Sequence, residues 1–302
     1  MIHGTHNAEP DKRNKDILIY VNGELLHRND AKISVFDSGY LVGDGVWEAM
    51  RLYNGKLAFD DLHFDRLEAG TAAIGMDLAY TRRQLMEKIQ LVLDANQMHT
   101  DVHVRLMLTR GIKKTPSQDP RLTISGPNLV IIAEHKKASA ASASRGITLF
   151  TSTIRRGSPD YLDPRLNCHS KLHEVQALIQ ALEAGADEAL MLDVRGFVST
   201  CNATNFFIVK DGTVITSTGA YCMNGITRHN VLRLCEIHGI PCYQKDFSLF
   251  DAYAADEAFV TGSFGGLTPV TKIDGRHIAP GAGPVTQKLQ QLYKQLVEDE
   301  TK

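Results

Sequence analysis

Lys171 stands directly before a segment, residues 172–184, in which apolar side chains recur with the period of an amphipathic helix. A strand pattern at residues 188–193 follows, and then the run 196–207, which contains a turn of small polar residues. A lysine in such a place could hold an aldehyde cofactor as a Schiff base. Most lysines are solvated surface groups, so this pattern alone favours an ordinary surface lysine.

Two glycine-containing segments farther along could bind an anion. Residues 224–228 open a helix whose free backbone N–H groups and dipole favour negative charge. The turn at 262–269 has enough glycine to bring backbone amides close to a ligand. Together they suggest a phosphate-bearing ligand, although each could also be only a helix start or a tight turn. Neither is a P-loop, and no Gly-x-Gly-x-x-Gly lies between a strand and a helix, which argues against a nicotinamide cofactor.

The composition is that of an ordinary soluble globular protein. A net charge of −2 over 302 residues provides no electrostatic footprint for nucleic acid or a membrane surface. Five cysteines without a Cys-x-x-Cys argue against a disulfide framework and a zinc cluster, and favour a reducing cytoplasm. His169 and His173 do not form His-Glu-x-x-His, so we expect no metal site. The expected partners are small molecules.

Two segments alternate with the period of a strand. Residues 46–53 place Trp47, Ala49 and Arg51 on one face, and Val102–Thr109 places His103 and Arg105 on one face. A face that carries the chain's one tryptophan and an arginine is a candidate for ligand binding. The simpler alternative is an edge strand with an arginine that reaches solvent.

The chain length predicts two domains, because single cores usually stop growing near about 250–300 residues. We expect a loose N-terminal arm at 1–15, a small domain at 16–133, a linker rich in Ala and Ser at 134–146, and a larger domain at 147–302. The expected strands are 16–21, 32–36, 46–53, 102–109, 129–133, 147–151, 188–193, 205–209, 213–216 and 257–261. The expected helices are 60–76, 82–96, 172–184, 228–238 and 284–298. Asp60 or Asp61 is the expected N-cap of the first helix, and Thr81 that of the second.

Several ordered motifs resemble the class IV aminotransferases, the fold-type IV pyridoxal-phosphate family that includes branched-chain and D-amino-acid aminotransferases and aminodeoxychorismate lyase. The resemblance covers about residues 21–293. It rests on Gly-Asp-Gly-Val-Trp-Glu at 43–48, His63-Phe-Asp-Arg-Leu67, Lys171 before its helix, Asn205-Phe-Phe, Asn224-Gly-Ile-Thr-Arg228, and Thr268-Pro-Val270 beside a glycine-rich turn. It implies two α/β domains with pyridoxal 5′-phosphate in the cleft between them, and a homodimer.

The resemblance also implies roles for individual residues. Lys171 is the residue that would bind the cofactor as a Schiff base and move the proton of the substrate. Four residues would hold the cofactor phosphate: Arg66, Ile226, Thr227 and Ser263. Seven would meet the substrate: Trp47, Ala49, Arg51, His103, Arg105, Phe264 and Gly265.

The sequence departs from the family pattern at three places. Thr200 stands where a glutamate usually pairs with the pyridine nitrogen, so the cofactor should be a poorer electron sink. If the loss equals a charge-assisted hydrogen bond, ~1.5–3 kcal/mol, the rate penalty is roughly ten- to a hundredfold, and Thr204 could partly compensate. Leu172-His173-Glu174 replaces an Asn-containing run, and Gly266 replaces a glutamate.

The sequence therefore predicts an aminotransferase that uses an α-keto-acid acceptor and a branched-chain-like amino donor. Arg51 and Arg105 fit the branched-chain pattern, whereas Trp47 would crowd the pocket. An (R)-amine or D-amino-acid transaminase is the second interpretation. A non-transaminating lyase or cofactor-binding relative is the third, and Thr200 is its best argument. The enantiomer of the donor and the acceptor are not fixed by these motifs.

Overall fold

The computed structural model describes residues 4–5, 8, 10–137 and 145–302. The chain divides into two compact units. The N-terminal unit consists of Glu9–Lys137, Leu166–Ser170 and Glu300–Lys302, and the C-terminal unit consists of Met1–Ala8, Ala138–Arg165 and Lys171–Asp299. Of the expected arm and linker, residues 1–3, 6, 7, 9 and 138–144 lie outside the described residues. A 3-10 helix, Lys12–Asp16, begins within the expected arm and ends just beyond it.

The N-terminal unit is built on one antiparallel sheet with two longer helices. Its elements are β1 (Leu18–Val21), β2 (Glu24–His27), α1 (Ser38–Val42), β3 (Gly45–Tyr53), β4 (Lys56–Leu57), α2 (Asp60–Ala73), α3 (Arg82–Ala95), β5 (Val102–Thr109) and β6 (Asn128–His135). The strand order is β2-β1-β6-β5-β3-β4, and each neighbouring pair is antiparallel. Strand β3 lies inside the sheet, so the edge-strand interpretation of residues 46–53 was wrong.

Period two explains which face of this sheet is buried. Val46, Met50 and Leu52 of β3 lie in the core with Leu106 and Leu108 of β5. The intervening residues of both strands, including Trp47 and Arg105, are only partly buried or polar. The alternation predicted from the sequence is therefore confirmed, and it sends the candidate ligand-binding side chains to the face away from the core.

The two helices of this unit begin differently. Thr81 caps α3 as expected, since its side chain accepts from Gln84 N while Gln84 Oε1 accepts from Thr81 N. The expectation that Asp60 or Asp61 caps α2 was wrong. The N-cap is Phe59, which has a φ of 59° and makes no side-chain cap hydrogen bond. Both aspartates lie in the first turn, where they still favour the helix dipole.

The C-terminal unit is built on a nine-stranded mixed sheet. Its elements are β7 (Ile147–Thr151), α4 (Leu172–Glu183), β8 (Glu188–Leu192), β9 (Val198–Cys201), β10 (Asn205–Lys210), β11 (Thr213–Thr216), α5 (Ile226–Ile237), β12 (Cys242–Gln244), α6 (Leu249–Tyr253), β13 (Glu257–Gly262), β14 (Gly266–Ile273), β15 (Arg276–His277) and α7 (Pro284–Glu300). The order is β12-β11-β10-β13-β14-β7-β8-β9, with β15 beside β14. The pairs β11–β12, β14–β7 and β7–β8 are parallel.

Both faces of this sheet are covered, which is why its strands are apolar at nearly every position. Phe206 and Ile208 lie in one core cluster, whereas Phe207 and Val209 lie in another with side chains of α5 and α7. Ala177 and Ala181 of α4 belong to a third cluster, with Ala189 and Met191 of β8. The small alanines allow α4 to approach the sheet closely.

Several expected elements differ from the structure. Residues 32–36 do not form a strand. Residues 198–201, expected in a turn, form β9, because they pair antiparallel with β8, the strand directly before them. The turn expected at 262–269 is shorter, since β14 already begins at Gly266. The short elements β2, α1, β4, β12, α6 and β15 were not expected.

All five cysteines are unbonded in the structure, and four of them are buried. No helix in the described part of the chain combines the length and the apolar composition needed to cross a membrane. The cytoplasmic location stays a prediction.

Candidate active site

Lys171 is the N-cap residue of α4, and it makes no side-chain cap hydrogen bond there. Its side chain is 29% exposed, and its Nζ lies 3.5 Å from Glu174 Oε1. Because α4 is fixed on the sheet through Ala177 and Ala181, the lysine projects from a defined point. The structure therefore presents a primary amine that is partly exposed and rooted in a rigid element.

Thr200 lies on β9 and is buried. Its hydroxyl donates to Thr204 O at 2.8 Å, and Asn205 Nδ2 lies 3.4 Å from the same hydroxyl oxygen of Thr200. The hydroxyl of Thr204, which we expected as a substitute partner for the cofactor ring, donates to Glu188 Oε2 at 2.7 Å. Thr204 is thus already committed to a buried carboxylate that the sequence motifs did not single out.

The first turn of α5 provides donors for an anion. Gly225 is the N-cap, and no side chain caps the helix. A Cβ on Gly225 would lie 2.3 Å from Asn205 Oδ1, so any other residue there would require the Asn205 side chain to move. Ile226 and Thr227 follow, both buried, and Thr227 Oγ1 lies 3.3 Å from Tyr293 OH. The N–H groups and positive dipole end of this twelve-residue helix match what phosphate requires.

Ser263, Phe264 and Gly265 form the turn between β13 and β14. Next to it, the buried Thr261 Oγ1 has no hydrogen-bond partner among the described residues. Gly266 has a φ of 61°, a conformation that glycine tolerates best, which gives a local reason for glycine where the family usually has glutamate.

These C-terminal-unit residues fit pyridoxal 5′-phosphate. The set provides a partly exposed amine, a buried hydroxyl on β9, backbone donors at a helix N-terminus, and an orphaned hydroxyl beside a glycine turn. Asn205 joins them, because its Nδ2 reaches Thr200 and Met223 O, and because it pairs with Thr261 across the sheet. The amine matches an aldehyde, and the donors match a phosphate.

The remaining predicted site residues lie in the N-terminal unit. Across β3 and β5, Ala49 pairs with Arg105, and Arg51 pairs with His103. The Arg105 guanidinium stacks 3.9 Å from the centre of the Trp47 ring, and Trp47 Nε1 donates to Cys168 O at 3.0 Å. Burial lowers the pKa of Arg105 from its usual value. The structure therefore brings these five residues together on one face.

Arg51 and Arg66 are both held by protein groups. Arg51 is buried, donates Nη1 to Lys136 O, and places Nε 3.3 Å from Tyr53 OH. Arg66 of α2 donates Nε and Nη2 to the two oxygens of Glu48, each at 2.7 Å. The expected roles of Arg66 at the phosphate and of Arg51 at the substrate stay predictions.

Glu48 also accepts from His63 Nδ1 at 2.6 Å, and both side chains are buried. Burial acts to raise the pKa of Glu48, but Arg66 and the hydrogen bond from His63 outweigh it and lower the pKa. Burial lowers the pKa of His63 below its ordinary 6.5, despite Glu48. The neutral imidazole therefore donates a hydrogen bond to an ionised Glu48.

This buried group predicts that acid destabilises the N-terminal unit. Below about pH 6.5 the unfolded chain protonates His63 while the folded chain does not, which lowers the free energy of unfolding. Below about pH 4.5, the unfolded pKa of Glu48, protonation of Glu48 in the unfolded chain lowers it further. We expect the free energy of unfolding to be about 1 kcal/mol lower at pH 5.5 than at pH 7.5 from His63 alone. Urea titrations at the two pH values measure this difference.

In that experiment, His63→Gln should remove most of the difference, whereas His238→Gln, at an exposed position after α5, should retain it. A His63→Gln protein with the same pH dependence as the wild type would show that another group is responsible.

The comparisons with known proteins agree with this site. The family model for amino-transferase class IV matches residues 45–273. The chain belongs to the class IV aminotransferases, a pyridoxal-phosphate enzyme family, and its expected fold and cofactor are thereby confirmed.

Individual relatives are similar over most of this chain. The branched-chain-amino-acid aminotransferase-like protein 2 of Arabidopsis thaliana is 40% identical over 96% of this chain, which spans 52% of that protein, about half its length. A putative branched-chain-amino-acid aminotransferase of Methanocaldococcus jannaschii is 36% identical over 92% of this chain and 96% of that one. A D-alanine aminotransferase of Listeria monocytogenes is 33% identical over 91% of this chain and 94% of that protein.

Among solved structures, a branched-chain amino acid aminotransferase from T.th. with pyridoxamine 5′-phosphate superimposes with a TM-score of 0.87 at 27% identity, over 94% of this chain and 95% of that one.

Motif reasoning assigned no role to four buried charged residues that the structure places beside the predicted ones: Glu48, Arg156, Glu174 and Glu188. Glu174 could have been found, because a carboxylate three residues after a lysine lies on the same side of a helix. The partners of Glu48 and Glu188 come from distant elements, and no local signal in one sequence identifies them.

Proposed function

We propose that this protein is a transaminase that moves an amino group from an amino acid to an α-keto acid with pyridoxal 5′-phosphate bound at Lys171. The observation that carries the proposal is the partly exposed amine of Lys171 at the start of α4. Its unit also contains the uncapped N-terminus of α5 and the glycine turn after β13. Family membership supports the same reaction class.

When bound, the cofactor withdraws electrons from the substrate Cα. Lys171 would hold the cofactor and carry the proton that leaves and returns. The N–H groups of Ile226 and Thr227, together with the Ser263 hydroxyl, would bind the phosphate. Phe264 and Gly265 would present backbone donors to the substrate carboxylate.

Thr200 would stand beside the ring nitrogen in place of a carboxylate. Its hydroxyl donates to Thr204 O, and Thr204 Oγ1 donates to Glu188. Because a hydroxyl is neutral, neither threonine supplies a negative charge to the ring nitrogen. A ring nitrogen without a counter-charge is less readily kept protonated. We therefore propose a transaminase slower than its glutamate-bearing relatives.

A branched-chain-like amino acid is the proposed donor. Arg51 and Arg105 support it, because they fit the branched-chain pattern and lie on one face of β3 and β5, whereas Trp47 on the same face would crowd the pocket. The names of the Methanocaldococcus relative and of the superimposed structure with pyridoxamine 5′-phosphate support it as well. A D-amino acid or (R)-amine is the second candidate, favoured by the 33% identity to a D-alanine aminotransferase. Thr200 favours the third, a non-transaminating lyase.

One panel of amino donors in both enantiomers, each with pyruvate or 2-oxoglutarate, separates these candidates. The proposal expects turnover of L-valine, L-leucine or L-isoleucine. Turnover of D-alanine alone would establish the second candidate. Release of a keto acid or of ammonia without an acceptor would point to the lyase.

We also propose that the protein is a homodimer in which α4 contributes to the interface. Four aliphatic side chains of α4 form what we call the α4 stripe, with exposed fractions between 48% and 69%: Leu172, Val175, Ile179 and Leu182. Their spacing of three, four and three residues is that of a helix seam. A second copy offers the identical seam across a two-fold axis, and a self-complementary patch of this kind is typical of a closed dimer.

Ile179→Ala is expected to raise the dissociation constant of this dimer about tenfold, because each copy loses part of one central aliphatic contact. Sedimentation velocity over a concentration series measures it. Leu91→Ala is the matched control, since Leu91 is a similarly exposed aliphatic residue on α3. A protein that stays monomeric at every concentration, or a dimer equally affected by both substitutions, would contradict the proposed interface.

A further inference from the structure

Glu174 lies in the first turn of α4, three residues after Lys171, and its carboxylate is buried. Its Oε1 accepts a hydrogen bond from Arg156 Nη1 at 2.7 Å and lies 3.5 Å from Lys171 Nζ. Its Oε2 lies 3.0 Å from His173 Nδ1, but receives no well-aligned hydrogen bond from the described residues. One carboxylate thus faces the nitrogen atoms of three side chains.

Arg156 fixes this carboxylate independently of the lysine. The guanidinium is buried, and its other donors bind the carbonyls of Pro164 at 3.2 Å and Tyr221 at 3.4 Å. Its Nη1 also lies 3.1 Å from His173 Nε2, which makes that nitrogen the acceptor and leaves the ring proton on Nδ1. The anion is therefore held by the fold, whereas Lys171 has a flexible four-carbon stem.

The Glu174 carboxyl is ionised throughout the neutral range. Burial acts to raise its pKa, but the polar contact with His173 and the charges of Lys171 and Arg156 outweigh burial and lower the pKa to about 2. A lasting negative charge 3.5 Å from Nζ attracts the ammonium group of Lys171 and restrains its direction.

We propose that Glu174 is a positioning residue for Lys171. The Glu174 carboxylate holds the free amino group of Lys171 in an ion pair, and this ion pair must open before the amine can react with the cofactor aldehyde. The inference rests on the proposed function, because it takes Lys171 as the cofactor-binding residue. In that reaction one ammonium proton goes to solvent, Nζ bonds to the aldehyde carbon, and the aldehyde oxygen leaves as water with the other two protons. The ion pair opposes the loss of the ammonium proton, so Glu174 slows cofactor capture. It also keeps the Lys171 side chain in one direction.

The test measures how fast added pyridoxal phosphate produces the absorption band of the lysine-bound cofactor in apoprotein at pH 7. Glu174→Gln is expected to capture the cofactor about three- to fivefold faster than the wild type, as for a partly exposed ion pair. Glu183→Gln, an exposed carboxylate on the last turn of α4, should leave the rate unchanged. Equal rates for Glu174→Gln and wild type at pH 7 would overturn the inference.

Acylation of Lys171 by an amine-selective reagent, followed by peptide mass, gives a readout that needs no cofactor. The rate of Lys171 acylation is expected to be roughly three- to fivefold higher in Glu174→Gln than in the wild type. If that variant does not fold, Glu174→Asn removes the charge with a smaller side chain. Faster acylation without any cofactor band would support the ion pair and overturn the proposed function instead. Unchanged acylation in a folded variant would overturn the ion pair.

Discussion

Replacing Lys171 by alanine is expected to reduce amino transfer by on the order of a thousandfold or more and to remove the absorption band of the bound cofactor. The variant loses both the amine that holds the aldehyde and the group that moves the substrate proton, and proton transfer alone accounts for about 10²–10⁴-fold. The described neighbours of Lys171 offer no replacement, because Glu174 carries a carboxylate and His173 is engaged by Arg156. Initial rates with the best donor and a keto acid measure the loss.

The matched control for this prediction is Lys288→Ala, since Lys288 is an exposed lysine on α7. It should retain both the band and the rate. An alanine variant at position 171 that keeps the wild-type rate would show that another residue performs the chemistry, whatever the family resemblance.

Thr200→Glu is expected to increase the transamination rate about ten- to a hundredfold. In the proposed arrangement, a carboxylate at this position would give the ring nitrogen a charge-assisted hydrogen bond worth ~1.5–3 kcal/mol, which converts to that factor in rate. The band of the protonated cofactor should strengthen or shift to longer wavelength in the same variant. Single-turnover kinetics with a saturating donor isolates the chemical step from product release.

Thr200 is buried, so the size of the new side chain needs its own control. In Thr200→Gln the new side chain has nearly the same shape as that of Thr200→Glu but carries no charge. This variant should show neither the faster rate nor the spectral change. If the glutamate and glutamine variants behave alike, Thr200 does not lie beside the ring, and the reason for a slow enzyme has to be sought elsewhere.

Local patterns in the sequence predicted those parts of the site that depend on period and position. Alternation placed Trp47, Ala49 and Arg51 on one face of β3, and the structure confirms this because the other face fills the core. Lys171 was predicted at a helix start, and it is the N-cap of α4. The capping box of Thr81 is equally local.

Partners outside each segment decided what its own pattern could not. Residues 198–201 were expected in a turn, yet they form a strand because the preceding strand β8 provides the hydrogen bonds. Thr204 was expected as a substitute partner for the ring, yet the buried Glu188 of β8 holds its hydroxyl. Arg156 reaches Glu174 from a loop 18 residues earlier, and nothing in the sequence around it specifies that partner.

The central claim is that Lys171 binds pyridoxal phosphate covalently, and one measurement tests it most directly. The purified protein is incubated with pyridoxal phosphate, reduced with borohydride and digested, and the peptide that contains Lys171 is weighed. We expect a yellow protein whose band is lost on reduction, with the phosphopyridoxyl mass on Lys171. A colourless protein that gains no band, or the added mass on a different lysine, would contradict the claim.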